Sequence, residues 1–512
     1  MLNTMKSLIV HSVILPLLLI TQCSARVVLN NYMADRIRFL EEENNLHLGS
    51  ALKLTEEEKR ANEILMYWKN KEIEESFGNS TRFRLSNHFF SYKKEISKSK
   101  VYQMIRRMPK GAALHIHASM MLDADSLLEL TYEDHLYACF ADDGLKLHFS
   151  GTVPSQSCPV NWNLLKDLRE ASDDVEQFDA ELRKHFSLYT EGDDLLNADI
   201  NDIWEKFNKV YRTTKYLITY RPIREKYFYK ALENFYNDNI MYVEIRSGLH
   251  NIYELDGTTH DSLYLAQLYE RITKRFIEEH PDFIGIKLIL TTGRWKTIEE
   301  VRHSIATAKE LKAIMPNFFA GFDLVGQEDK GKPLKEFLPA LIEAKNEIDF
   351  YFHGGETNWF GTSSDENLID AVLLGSKRVG HAYALLKHPT LLGTINLKNV
   401  VLEVNVISNV VLSLVRDVRN HPLASYLALG YPVVLSSDDP GAWDADPLSH
   451  DFYVTFVGVA SKHADLRMLK QLALNSIRYS ALDDDDVRKT RFYDVFNEKW
   501  DIFVKKIIEN GF

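Results

Sequence analysis

Gly111-Ala112-Ala113-Leu114-His115-Ile116-His117 is a short apolar run that closes on two histidines spaced by two. It reads as a β-strand, and that spacing sends both imidazoles to the same side, as two ligands of one ion require. Seven further runs rich in β-branched and aromatic residues lie downstream, at 240–245, 284–290, 318–324, 350–353, 378–381, 400–404 and 432–435. The segments between them, notably 223–237, 262–280, 297–315 and 334–346, have the length and pattern of helices. Strands that alternate with helices pair in parallel, and eight such units predict a TIM (β/α)8 barrel of the α/β class. A doubly wound open sheet is the competing architecture, but no Gly-x-Gly-x-x-Gly follows the first strand, and eight strands match closure better.

In such a barrel the reactive groups sit at the carboxyl ends of the strands. The first strand ends with His115 and His117, the fifth with His353 followed by Glu356, the sixth with His381, and the eighth runs into Asp438 and Asp439. Three histidines and one carboxylate make a donor set suited to one zinc ion per chain and leave room for a water, so the chemistry needs no Ser or Cys nucleophile. In His353-Gly354-Gly355-Glu356, two glycines let the backbone approach a ligand while the carboxyl enters the site. His381 fits a fourth nitrogen ligand, a hydrogen bonder behind the ligands, or a general base, and its position alone does not choose. Adjacent carboxylates at Asp438 and Asp439 are costly after an apolar strand unless one faces a cation and the other a donor.

The chain has 512 residues, 45% of them hydrophobic and 26% charged, enough for a barrel with accessory segments. A formal net charge of -12 argues against nucleic acid or an anionic membrane as the main partner, whereas a small neutral substrate is indifferent to that field. Lys6, the apolar run from Leu8 to Ile20 and Cys23-Ser24-Ala25 have the layout of a cleaved signal peptide over residues 1–25. The expectation is a secreted, extracellular protein with no membrane span. Cleavage leaves Cys139 and Cys158, an even pair for which one disulfide is the natural inference and two buried thiols the alternative. Asn79-Ser80-Thr81 is a glycosylation sequon.

Residues 26–105 read as a helical segment, either an appendage packed on the main domain or a dimerisation arm. Residues 106–512 read as the barrel, interrupted after its first strand by an insertion at about 119–201 that carries both cysteines.

Met108-Pro109-Lys110-Gly111, His115-Ile116-His117, His353-Gly354-Gly355-Glu356 and Ser436-Ser437-Asp438-Asp439-Pro440 resemble the motifs of adenosine deaminases. Trp204-Glu205-Lys206-Phe207, Tyr242-Val243-Glu244-Ile245-Arg246, Gly321-Phe322-Asp323-Leu324-Val325-Gly326, Ile407-Ser408-Asn409 and Arg419-Asn420-His421-Pro422 resemble the secreted branch, the adenosine deaminase-related growth factors. The resemblance implies hydrolytic deamination of adenosine and 2'-deoxyadenosine, with zinc held by His115, His117, His353 and Asp438. It implies that Glu356 protonates purine N1, His381 orients and deprotonates the attacking water, Asp439 meets N7 and the Gly326 backbone meets N3. Trp204 and His260 would help form the nucleoside pocket. The expected partners are a nucleoside substrate, a second copy of the chain as a homodimer, and a cell-surface receptor or proteoglycan.

Three positions depart from that family's pattern: Ala118 stands where an Asp is usual, Ala382 where a Gly is usual, and Val406 where a Pro is usual. A methyl at 118 accepts no hydrogen bond, which motivates a second expectation, a catalytically weak extracellular binding or signalling protein that keeps the zinc site. Another amidohydrolase is a third, but two-metal members bring a Lys to the fourth strand end, where this chain has Asp323-Leu324-Val325-Gly326.

Overall fold

The computed structural model describes residues 28–79, 82–189, 195 and 198–510. The expected signal segment lies outside these residues, as do Ser80 and Thr81 of the sequon and positions 190–194, 196 and 197 of the insertion. Asn79 itself is exposed at the end of a helix.

Each expected run forms a strand: β1 (Gly111–His117), β2 (Ile240–Ser247), β3 (Gly285–Gly293), β4 (Phe319–Val325), β5 (His353–Gly354), β6 (Arg378–His381), β7 (Val401–Val404) and β8 (Val433–Leu435). They pair in parallel as two four-stranded sheets, β1 to β4 and β5 to β8. Single parallel bridges join the sheets on both sides, Phe322 to Phe350 and Ile116 to Asp438, and so close the barrel. β5 is shorter than its apolar run. Phe350 contributes one bridge, and the chain turns away at Gly355, whose φ of +73° glycine adopts at no steric cost.

Helices Arg221–Asn237, Ser262–Glu279 and Ile298–Ile314 occupy the expected segments. The segment expected over 334–346 divides into a 3₁₀ turn, Leu334–Phe337, and a helix, Leu338–Ala344; Pro339, which lacks an N–H, sits in the first turn of the second piece.

The insertion between β1 and β2 folds as a three-stranded antiparallel sheet of Leu136–Ala141, Gly144–Phe149 and Asn163–Leu164 with short helices around it. Cys139 and Cys158 form the expected disulfide there. In the N-terminal segment, helix Glu56–Gly78 packs on the barrel and on the C-terminal helix Val487–Asn510. Trp500 donates its indole N–H to Glu58 at 2.8 Å, and the Lys69 ammonium donates to the carbonyls of Ser461 and Ala464. Residues 28–46 form a separate helix, exposed along its whole length. Among the described residues no helix is long and apolar enough to cross a membrane.

Aliphatic layers are the usual filling of such a barrel. Here the strands also carry a buried ionic network. Arg246 donates to Asp323 at 2.8 Å and to Glu403 at 2.7 Å, while Arg378 donates to Glu403 at 2.6 Å and to Glu244. All five side chains are fully or almost fully buried, so each charge depends on its partners for the solvation it has lost.

Candidate metal centre and active site

His115, His353, His381 and Asp438 bring one donor atom each to within 4.8 Å of one another, and His117, Asp438 and Asp439 do the same. Nε2 of His115 lies 3.1 Å from Nε2 of His353. Each of these rings turns its other nitrogen to a carboxylate: His115 Nδ1 is 2.8 Å from Glu403, and His353 Nδ1 is 2.7 Å from Asp323. A carboxylate accepts a hydrogen bond from Nδ1–H and so keeps the proton on that nitrogen, leaving two Nε2 lone pairs that face one another. Asp438 adds a third lone-pair donor. Its Oδ1 lies 3.3 Å from His115 Nε2 and 3.1 Å from His117 Nε2 yet makes no hydrogen bond, while Oδ2 accepts from the Ser408 hydroxyl at 2.8 Å. Lone pairs this close repel unless a cation lies among them, so three nitrogens and one carboxylate oxygen fit a divalent metal.

The backbone is bent to make this arrangement. Asp438 has φ +62°, His381 +63° and Ala382 +48°, left-handed values that L-residues adopt only when their surroundings hold them. Asp438 is also the residue whose bridge to Ile116 closes the barrel. Ala382 therefore keeps the backbone shape that suits a glycine, fixed by hydrogen bonds from its N–H to the carbonyls of Gly354 and Gly380 and from the Tyr426 hydroxyl to its carbonyl. Val406 is buried at the start of a short helix, and its neighbour Ile407 donates its N–H to Asp451 at 3.0 Å.

Glu356 is buried beside this cluster, 3.5 Å from His381 Nδ1. Burial pushes its carboxyl well above the usual range, and the charges of Asp438, Glu328 and Asp439 add to the shift. Glu328 also fixes the loop, accepting from the backbone N–H groups of Glu356 at 2.9 Å and Gly355 at 3.2 Å. Burial pushes His381 well below its usual value, and the Asn409 amide lies 3.4 Å from its Nδ1. Asp439 is raised by burial and by the charge of Asp438.

A cavity opens above these groups. His117, His353, Glu356, His381, Asp438 and Asp439 line its inner end, and Gly326 and Trp204 also border it. Of the residues expected from the sequence, His260 stands apart. It lies in a short hairpin, paired with Glu254 at 3.1 Å and stacked on Tyr264 at 3.8 Å, and is not part of the lining. Ala118 is buried, its N–H donated to the Arg246 carbonyl, and its neighbour Ser119 lines the cavity instead, as does Tyr211.

From helix Ile200–Ile218, Phe207, Asn208 and Tyr211 reach the cavity as well as the expected Trp204. Their spacing from Trp204, by 3, 4 and 7 residues, is the signal of one helical face. Arg246, Asp323 and Glu403 were missed as supports of the ligands, although a charge within an apolar strand is itself a sign of a buried partner.

The family model described as "Adenosine deaminase" matches residues 189–495, and "Adenosine/AMP deaminase N-terminal" matches residues 13–105. The chain is 41% identical over 481 residues to "Adenosine deaminase" of Aedes albopictus, covering 93% of this chain and 89% of that one. It is 40% identical over 479 residues to "Adenosine deaminase 2" of Homo sapiens, covering 92% and 93%. Among solved structures, an adenine deaminase from Arthrobacter aurescens shares the fold at TM-score 0.54 and 18% identity, covering 76% of this chain and 98% of that one. An amidohydrolase from Burkhoderia ambifaria with bound Zn does so at TM-score 0.54 and 19% identity, covering 80% and 94%. With the histidine and carboxylate cluster at the mouth of a closed barrel and relatives aligned along nearly its whole length, this chain belongs to the adenosine deaminase family.

Proposed function

We propose that this chain is a secreted, zinc-dependent hydrolase that deaminates adenosine and 2'-deoxyadenosine to inosine products and so lowers extracellular adenosine. The observation that carries the reading is the facing Nε2 pair of His115 and His353 beside Asp438, with Glu356 and His381 at the same end of the cavity. His115, His117, His353 and Asp438 would hold the zinc. When bound, zinc lowers the pKa of water, so that an attacking oxygen is available at neutral pH.

The chain's own groups carry the proton traffic. Purine N1 and N7 are acceptors, so both need donors from the protein. Glu356, kept protonated by burial among other carboxylates, gives a proton to N1 and makes C6 electrophilic. Asp439 donates to N7, and the Gly326 N–H meets N3. His381, neutral because it is buried, orients the water and removes its proton. Glu356 would thus stabilise charge on the ring side of one tetrahedral centre, opposite the oxygen that a bound metal would stabilise, before ammonia leaves.

A nucleoside suits the cavity better than a nucleotide. Among the described lining residues Arg246 is the one with a fixed positive charge, and it is already committed to Asp323 and Glu403, so a phosphate would meet no free cation among them. We assign residues 1–25 to a signal peptide, Asn79 to a glycan, and the exposed helix over 28–46 to a homodimer contact. A growth-factor-like role through a receptor or proteoglycan accompanies this reading.

Ala118 favours one other reading, an extracellular binding or signalling protein with weak or no catalysis. Zinc-replete protein incubated with adenosine and 2'-deoxyadenosine, with Glu356→Ala as control, separates the two. Inosine formation that vanishes in the variant supports the hydrolase, and bound zinc without turnover supports the binder.

A further inference from the structure

We propose that Trp295 contacts the substrate and reads the sugar end of the nucleoside by apolar contact, so that ribose and 2'-deoxyribose are accepted nearly alike; the proposal rests on the purine-nucleoside reading above. Trp295 follows β3, is 68% exposed, and lines the cavity. The indole is seated against two glycines. A Cβ at Gly293 would stand 2.4 Å from its Cζ2, and one at Gly326 would stand 2.9 Å from its Cζ3, closer than real Cβ atoms come. Gly326 has φ +107° and suits glycine for its backbone alone. Gly293 has no positive φ, so the ring is what its missing side chain makes room for. The exposed indole thus sits in a fitted place at the rim of the cavity.

The chemistry of the ligand sets what reaches that rim. C6 and N9 lie at opposite ends of a purine, so an amine placed at the buried histidine and carboxylate cluster points the sugar toward the mouth. Trp295 stands there, with Trp204, Phe207 and Leu412 also bordering the cavity. Glu356, Asp438 and Asp439 are the carboxylates among the described lining residues, and all belong to the buried end. Among the described lining residues outside that end, a sugar diol meets neutral polar groups such as Ser119 and Asn208, whose hydrogen bonds discriminate less than charged ones. Contact with the indole is largely the same whether or not the 2'-hydroxyl is present.

The test is equilibrium binding of the two products, which need no turnover. Calorimetric titration of zinc-loaded full-length protein with inosine and 2'-deoxyinosine should give dissociation constants within about three-fold of each other, less than one neutral hydrogen bond often discriminates. Trp295→Ser should weaken both by about ten-fold and Trp295→Phe by less, as expected for loss and partial retention of an aromatic contact. Circular dichroism checks that each variant is folded. Native protein preferring inosine by more than about thirty-fold, as a charged contact would produce, overturns the proposal. So does a folded Trp295→Ser with unchanged affinities. Failure of the native chain to bind either nucleoside overturns both this proposal and the reading on which it rests. Binding as expected without ammonia release from adenosine sinks the deaminase reading alone and supports the role of Trp295.

Discussion

His115 and Glu403 meet through Nδ1 and Oε2 at 2.8 Å, from β1 to β7, across 288 residues of sequence. The same carboxylate oxygen accepts from Arg246 at 2.7 Å, so one buried group both orients a metal-type ligand and neutralises a barrel arginine. Glu403→Gln should lower metal affinity by about ten- to a hundred-fold, measured by chelator competition. It should also destabilise the metal-free protein by about 3 kcal/mol, because Arg246 and Arg378 lose their shared counter-charge. Unchanged metal affinity would show that the rings are held in place by packing alone.

Glu356→Gln keeps the shape of the acid and removes its proton. The expected result is a fall of about a hundred- to ten-thousand-fold in kcat with zinc still bound. Metal analysis beside the ammonia assay checks both halves, and near-normal turnover would move the acid role elsewhere.

Ala118→Asp restores a carboxylate next to His117. If it reaches the sugar, a charge-assisted hydrogen bond should raise kcat/KM for adenosine by about ten- to a hundred-fold, with a smaller gain when a sugar hydroxyl is absent. Equal gains on adenosine and 2'-deoxyadenosine would place the new carboxylate away from the 2'-hydroxyl.

Acid should loosen the fold well before carboxylates of ordinary pKa are protonated. Burial lowers His421 to about 3. It also lowers His450 to about 4, with Lys93 and Arg106 reinforcing and Asp446 opposing. Both rings accept a backbone N–H at Nδ1, His421 from Leu423 at 3.0 Å and His450 from Asp446 at 2.8 Å, which fits the neutral form. From about pH 6.5 down to about pH 4 the unfolded chain binds these protons and the folded chain does not, so stability falls with pH by up to about 1.4 kcal/mol per unit for each residue. Urea midpoints of the metal-free protein between pH 7 and pH 5 measure the slope. It should be shallower in His450→Gln, and an equal slope would remove His450 from the account.

The barrel was legible because its strands are apolar runs of the right length, each followed by a segment that can hold a helix. The convergence of polar groups was legible where they sit at strand ends, as for His115, His117, His353, Glu356, His381, Asp438 and Asp439. His260 stands outside the cavity: a histidine in a loop carries no directional signal, and the short hairpin in which it pairs with Ile252 turns it toward Glu254 and Tyr264. Trp295 was illegible for a related reason. Its place depends on Gly293 and on Gly326, which are distant in sequence and come together only when β3 pairs with β4. Glu403 could have been suspected inside its apolar strand, but its two arginines and its histidine come from three other strands.

The bridge between Ile116 and Asp438 ties the place where the barrel shuts to the place where its ligands converge. Ile116 sits between His115 and His117, and Asp438 follows β8, so the donor set is completed by the same closing contact that completes the sheet. During synthesis the first histidines must wait for more than three hundred residues before their carboxylate arrives. A nascent or truncated chain that stops before β8 lacks Asp438, so metal capture by the full set reports that the last strand has been made and docked.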